Sequence, residues 1–300
     1  MAYNINYAYL SDLVYQVSEA DAKTHKEFTD PTTSNTWRVE DFASIENTGY
    51  QGAVFVNTQT HEVVLANRGT ELGSGRDLLN DLSMGIGKLP SQYESASEFY
   101  GTATQIAARY GIQDADITIT GHSLGGALSQ LLGAAHGNFT QTFNAYGAGN
   151  LLDQLGIEQG DFSNIHNQVM DHDFVSILPG SQMIGATTNY KTATDDFHNS
   201  AIGQAVAQIN NVPLIMHMLL SHSIGNFLRD PSLAEQIGTL IRINAINPIT
   251  AFLESLHRTT LTLDDLVDAF TQDVLEQSRL RISPLINTLY QSARTFIARR

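Results

Sequence analysis

The chain of 300 residues carries 16 basic and 31 acidic side chains, a formal net charge of −15 that argues against nucleic acid as a partner. With no cysteine, disulfides, thiol catalysis and a cysteine-ligated zinc site are excluded. Hydrophobic residues make up 42%, ample for a sizeable core.

The charge is uneven. Positions 277–300 hold five arginines (Arg279, Arg281, Arg294, Arg299, Arg300) and no acid, which leaves 11 bases against 31 acids over the rest. Such a tail reads either as a surface for anionic lipid or as a basic segment docked on an acidic body. The start, Met1-Ala2-Tyr3-Asn4-Ile5-Asn6, has neither a basic nor an apolar leader region, so a cleavable signal peptide is not expected. No apolar run approaches about 18 residues, and no membrane-spanning helix is expected. The expected location is outside the producing cell by a leaderless route, otherwise the cytoplasm.

In chain order, residues 7–28 read as a helix with Leu10, Leu13, Val14 and Val17 on one side. Residues 53–57 and 62–67 read as a hairpin across Thr58-Gln59-Thr60. A Gly-rich loop and a short helix follow over 72–84. A longer helix over 91–110 then places Tyr93, Ala96, Phe99, Ala103 and Ile106 at helical spacing before Gly111.

The next stretch is the most informative. Ile117-Thr118-Ile119-Thr120 is an alternating β-branched run that ends in Gly121-His122-Ser123-Leu124-Gly125-Gly126. Leu124, Leu128, Leu131 and Leu132 then share one face of a helix. A serine on a strand-to-helix turn is held exposed, and small neighbours are needed because side chains at 121 and 125 would collide with the adjoining strand or helix. The free N–H groups of the helix start can bind a developing oxyanion. With strand before and helix after, the motif points to a serine-nucleophile hydrolase.

Two further strands are expected over 140–145, ending in Tyr146-Gly147-Ala148-Gly149, and over 165–170, running into Asp171-His172-Asp173. Strands alternating with helices imply an α/β fold. Its mostly parallel sheet is covered on both faces, and ligands sit beyond the carboxyl ends of the strands. Past residue 200 the strand signal fades. Leu263, Leu266, Val267, Phe270 and Val274 form one helical stripe, and Leu285, Leu289, Ala293 and Phe296 another. The expected organisation is a catalytic domain over 1–227 and a helical C-terminal extension over 228–300, packed on the same domain.

A serine nucleophile needs a base and the base needs an orienting acid, in the chain order Ser, Asp or Glu, His for an α/β hydrolase. Asp173 precedes Phe174-Val175-Ser176-Ile177-Leu178-Pro179, a strand-end loop, and Asp171 is its rival two residues earlier. His198, His217, His222 and His257 all lie downstream. His222 has small neighbours in Ser221-His222-Ser223-Ile224-Gly225, whereas His217 sits between methionines and reads as a half-buried helix residue. Spacing alone does not choose among them.

Resemblance does. Val63-Val64-Leu65-Ala66-Asn67-Arg68-Gly69-Thr70, followed by Arg76-Asp77-Leu78-Leu79-Asn80-Asp81-Leu82, is similar to the class 3 lipase pattern of a strand, Arg-Gly-Thr/Ser and a short lid helix. Gly121 to Gly126 matches that family's nucleophile turn. Phe143 to Gly149 resembles its next strand, Phe-Gly-x-Pro-Arg, with Asn144 and Ala148 departing from it. Asp173-Phe-Val-Ser-Ile-Leu-Pro resembles Asp-x-Val-Pro-x-Leu-Pro and favours Asp173 over Asp171, while His222 matches the terminal histidine. The resemblance covers residues 50–227.

It implies an α/β-hydrolase fold in which Ser123 attacks an ester carbonyl, His222 shuttles the proton and Asp173 orients the imidazole. The backbone N–H groups of Leu124 and Thr70, with the Thr70 hydroxyl, would form the oxyanion hole, and Asp81 would brace Thr70. Arg68 resembles a structural ion-pair former. Leu72, Leu78, Leu79, Leu82, Met84, Ile86 and Leu89 would give a lid an apolar side, part of it core. The implied substrate is a lipid or phospholipid at a membrane or micelle interface, hydrolysed by a bacterial lipase or phospholipase A1. An enzyme delivered into other cells would require an immunity or accessory protein in its producer.

No cofactor is implied, and with no Gly-rich nonapeptide repeats no calcium site is. A short-chain esterase and a non-catalytic α/β-hydrolase-like binding module are the alternatives. A metal hydrolase built on Asp171-His172-Asp173 lacks any His-Glu-x-x-His spacing, so no metal is expected.

Overall fold

The computed structural model describes residues 3–69, 78–171, 173–178, 180–190 and 221–228, with the backbone alone over 78–85. Residues 1–70 and 85–235 form one compact unit, and 71–84 with 236–300 form a second; the described side chains belong to the first. The expected C-terminal extension lies, from 229 onward, outside the described residues.

Eight strands form one sheet in which spatial order equals chain order. The strands are β1 (Glu27–Thr29), β2 (Thr36–Ile45), β3 (Tyr50–Asn57), β4 (Val63–Asn67), β5 (Thr118–His122), β6 (Thr140–Phe143), β7 (Ile165–Met170) and β8 (Ala186–Tyr190). The first three pairings are antiparallel and the four from β4 to β8 are parallel. The protein is therefore an α/β fold with a mainly parallel sheet, as its alternation of strands and helices implies. Every residue of β4, β5 and β6 is buried, and Val63–Ala66 of β4 accordingly reads as an unbroken apolar run.

Right-handed crossovers between parallel strands that always advance in one direction place their helices on one face. α3 (Leu78–Arg109) and α4 (Leu124–His136) occupy it. Phe99 of α3 meets Tyr50, the Tyr50 hydroxyl donates to Asn67 Oδ1 at 2.9 Å, and Asn67 Nδ2 donates to Ser129 Oγ of α4 at 3.0 Å. The opposite face is left to the N-terminal helix α1 (Ile5–Leu13), whose Ser11 hydroxyl bonds that of Thr120 at 2.8 Å. Leu10, Leu13, Val14 and Val17 are buried there against Trp37, Phe55, Phe143 and Phe227.

Two helix expectations differ from the structure. The helix expected over 7–28 is split into α1 and α2 (Glu19–Lys23), followed by β1. Ser18 causes the second start. Its side chain accepts from Asp21 N while the Asp21 carboxylate accepts from Ser18 N, a capping box that ends any continuous helix at that point. The short helix over 72–84 and the longer one over 91–110 are a single element from Leu78 onward, passing through Pro90. Leu89, counted on the apolar side of a lid, is core.

The crossing of β4, β5 and α4 is the tightest place in the sheet. A Cβ on Gly125 would strike the Asn67 carbonyl oxygen and come within 2.7 Å of Arg68 C and Gly69 N. A Cβ on Gly121 would lie 2.5 Å from the Gly125 carbonyl oxygen. These contacts are backbone on backbone, so no side chain can move aside. Gly125→Ala is expected to destabilise the protein by about 1–3 kcal/mol, as overpacking of a filled interior does, read as a lower urea midpoint with unchanged slope.

Candidate active site

Ser123 sits between the end of β5 and the start of α4 with φ 58° and ψ −127°, a conformation that L residues rarely adopt. Three main-chain bonds hold it there: Ser123 N donates to Phe143 O at 3.1 Å, and Tyr146 N and Ala127 N each donate to Ser123 O at 3.3 Å. The hydroxyl is thereby aimed at the imidazole of His222. Ser123 Oγ lies 3.0 Å from His222 Nε2, and His222 Nδ1 lies 2.6 Å from Asp173 Oδ1. The other carboxylate oxygen, Asp173 Oδ2, accepts from Ser176 N at 2.9 Å.

The three side chains are almost dry: Ser123 is 1% exposed, Asp173 0% and His222 3%. Phe174 packs edge-on against the His222 ring, with centroids 5.1 Å apart. In such surroundings a fixed dipole or charge acts more strongly than in water. A hydroxyl bonded to an imidazole that is bonded in turn to a carboxylate can lose its proton as it attacks a carbonyl carbon.

Four of the expected site residues, Ser123, Leu124, Asp173 and His222, have a definite place. Asp173 rather than Asp171 meets the histidine, because Asp173 points into the core while Asp171 is half-buried at the end of β7. His222 is the histidine that reaches Ser123; His198, His217 and His257 lie outside the described residues. Leu124 is the first residue of α4, where backbone N–H groups have no partner inside the helix. Thr70 lies outside the described residues, as does the side chain of Asp81 within α3. The chain leading to Thr70 nevertheless passes close to the serine, since a Cβ on Gly69 would lie 3.2 Å from Ser123 Cβ. Arg68 bonds the Gln51 side chain and lies over the Tyr15 ring, 5.3 Å from its centroid.

Two residues near the site have roles that the sequence did not signal, His122 and Tyr15. His122 Nε2 is 2.8 Å from the His222 carbonyl oxygen, and His122 Nδ1 is 3.3 Å from the Tyr15 hydroxyl. A carbonyl can only accept, so the His122 proton is on Nε2 and Nδ1 accepts from Tyr15. The same Tyr15 oxygen accepts from Gly69 N at 3.0 Å. A chain of bonds thus joins the strand end before Thr70 to the main chain of His222.

With this fold and this geometry the protein is a serine hydrolase of the α/β class. Residues 6–214 match the Tle-like phospholipase domain, a phospholipase-like model, and the chain belongs to that family. The match stops short of His222, which the geometry alone brings to the serine. No curated protein sequence matches the chain. Among solved structures, the lipase–propeptide complex of Rhizomucor miehei is 15% identical with a TM-score of 0.43, covering 63% of this chain and 67% of that one. A lipase from Rhizopus microsporus var. chinensis is 17% identical with a TM-score of 0.44, covering 61% and 72%. A triacylglycerol lipase from Penicillium expansum is 16% identical with a TM-score of 0.40, covering 62% and 77%. The protein is a serine carboxylic-ester hydrolase of the lipase and phospholipase type.

Among the described residues no group of three or more His, Asp or Glu side chains could hold a metal ion, and no helix is long and apolar enough to cross a membrane.

Burial, with the His222 ring beside it, pushes the His122 imidazole down from 6.5 to about 3. Unfolded chains bind a proton on this histidine below its ordinary value, and the folded protein does not until about pH 3. Between those limits the unfolded state holds more protons, so acidification lowers stability. Urea unfolding from pH 7 to 4 is expected to show a smaller loss in His122→Gln, which does not titrate, than in the wild type. Equal losses would remove His122 as a source of the acid sensitivity.

Proposed function

We propose that the protein is a phospholipase A1, cleaving the sn-1 ester of a glycerophospholipid. The carrying observation is the Ser123–His222–Asp173 array, with 3.0 Å and 2.6 Å contacts, inside a chain of a phospholipase family. In the proposed reaction the Ser123 oxygen attacks the ester carbonyl carbon as its proton passes to His222 Nε2. Asp173 stabilises the imidazolium through Nδ1, and the tetrahedral oxyanion is held by the Leu124 N–H and by donors at Thr70. Collapse of this intermediate breaks the bond to the glycerol oxygen, which takes the proton from His222 and leaves as the lysophospholipid. Water then attacks the acyl carbonyl as His222 takes its proton; collapse breaks the bond to Ser123 Oγ, which takes that proton back from His222, and the fatty acid departs.

Two features support a lipid ester over a small soluble one. The triad is buried with the apolar ring of Phe174 edge-on to His222, and the family matched is that of phospholipases. Triacylglycerol lipolysis uses the same chemistry and differs only in what occupies the third glycerol position.

The test pairs a variant with a product analysis. Ser123→Ala is expected to lower hydrolysis by about 10⁴-fold or more, as loss of a triad member does. Mass spectrometry of wild-type products from mixed vesicles of phosphatidylcholine and phosphatidylglycerol, with triolein emulsion alongside, is expected to show sn-1 fatty acid and 2-acyl lysophospholipid. Fatty acid from triolein alone would reject the phospholipase reading. Hydrolysis retained in Ser123→Ala would reject the mechanism.

A further inference from the structure

Asn144, which the triad chemistry does not use, touches the framework of all three triad members. It follows β6, is fully buried, and has φ 45°. That left-handed backbone costs a glycine nothing and most other residues something; asparagine is among the few that tolerate it. Backbone geometry alone would therefore be met best by glycine. The asparagine side chain must be explained by what it bonds.

Its amide is used at both ends. Asn144 Nδ2 donates to the carbonyl oxygens of Ser221 and His222, at 2.8 Å and 3.0 Å. Asn144 Oδ1 accepts from Met170 N at 2.8 Å, and Met170 O accepts from Asp173 N at 3.0 Å. On its chain-N-terminal side, Phe143 O holds Ser123 N. The His222 carbonyl has a second buried donor in His122 Nε2, whose own residue immediately precedes Ser123. Two donors from the β5 and β6 ends thus grip one carbonyl, and one of them also grips the strand that delivers the acid.

We propose that Asn144 is a positioning residue, with His122 as its second donor: together they fix the His222 main chain so that its ring spans Ser123 and Asp173. The proposal rests on the reading of Ser123, His222 and Asp173 as the triad. The imidazole has only its χ angles left to adjust once its carbonyl is held from two directions. A loosened carbonyl lets the ring shift by a fraction of an ångström, enough to spoil an oriented proton transfer while leaving the acyl-binding surface untouched.

Four variants test this with p-nitrophenyl butyrate and an aryl alkylphosphonate that labels the serine. Asn144→Gly keeps the φ and removes the amide; kcat is expected to fall about 10–100-fold with KM little changed. Asn144→Asp, which turns an oxygen toward two carbonyl oxygens, is expected to fall further. His122→Gln, whose amide nitrogen replaces Nε2, is expected to keep most of the kcat that His122→Ala loses. Phosphonate labelling is expected to slow in step with kcat. Wild-type kcat in Asn144→Gly, a loss carried by KM, unchanged labelling, or equal kcat in His122→Gln and His122→Ala would each overturn the proposal. A Ser123→Ala control separates the two levels: if it abolishes hydrolysis while Asn144→Gly is fully active, only the positioning role falls, and if it hydrolyses normally the triad reading falls with it.

Discussion

The site depends on one close approach of backbone to backbone. The first turn of α4 lies directly on the end of β4 because Gly125 puts no side chain between them, and Gly121 allows the strand to turn into that helix. Ser123 is caught between these two glycines in a strained conformation whose cost is of order 1–3 kcal/mol. The main-chain bonds to Phe143, Tyr146 and Ala127 offset that strain. The same approach brings the end of the β4 segment close to the serine, where a Cβ on Gly69 would lie 3.2 Å from Ser123 Cβ. The strain at the nucleophile and its placement are therefore consequences of a single packing contact.

Beneath that contact lies a set of polar groups that are buried and partnered. Tyr50, Asn67, Ser129 and the Thr120 carbonyl form a continuous bonded series beneath the turn, and Ser11 meets Thr120 from the other face. A buried polar group without a partner is costly, whereas a satisfied series fixes one arrangement. The floor of the site is rigid for this reason, and a rigid floor suits a reaction whose barrier depends on sub-ångström placement.

The strand-to-helix serine turn, the β3–β4 hairpin and β7 were legible because their signals are local: alternation, small residues at fixed offsets, and turn residues between apolar runs. Asp173 and His222 were legible only through resemblance, since nothing in a 49-residue separation states that two side chains meet. β2 went unread because its burial alternates weakly and includes a bulge between Val39 and Asp41. β8 was equally silent, being half exposed and polar in composition. The split of the N-terminal helix was present in Ser18 and Asp21, where the stripe of Leu10, Leu13, Val14 and Val17 stops, but helix-forming residues follow directly and masked the boundary. His122 stands within the nucleophile-turn motif, but nothing in that motif or around Tyr15 states what the two side chains bond; those roles exist only once β5 and the segment after α1 are packed together.

Because spatial and chain order coincide along the whole sheet, each strand has its partner already available when it emerges during synthesis. Ser123 is in place as soon as β5 and β6 have paired, but the acid arrives only after β7 and the histidine only beyond β8. Growth of the chain is thus also a clock. A chain that has not yet reached residue 222 carries the nucleophile with no base to activate it, so the ester-cleaving array is complete only once His222 has been added.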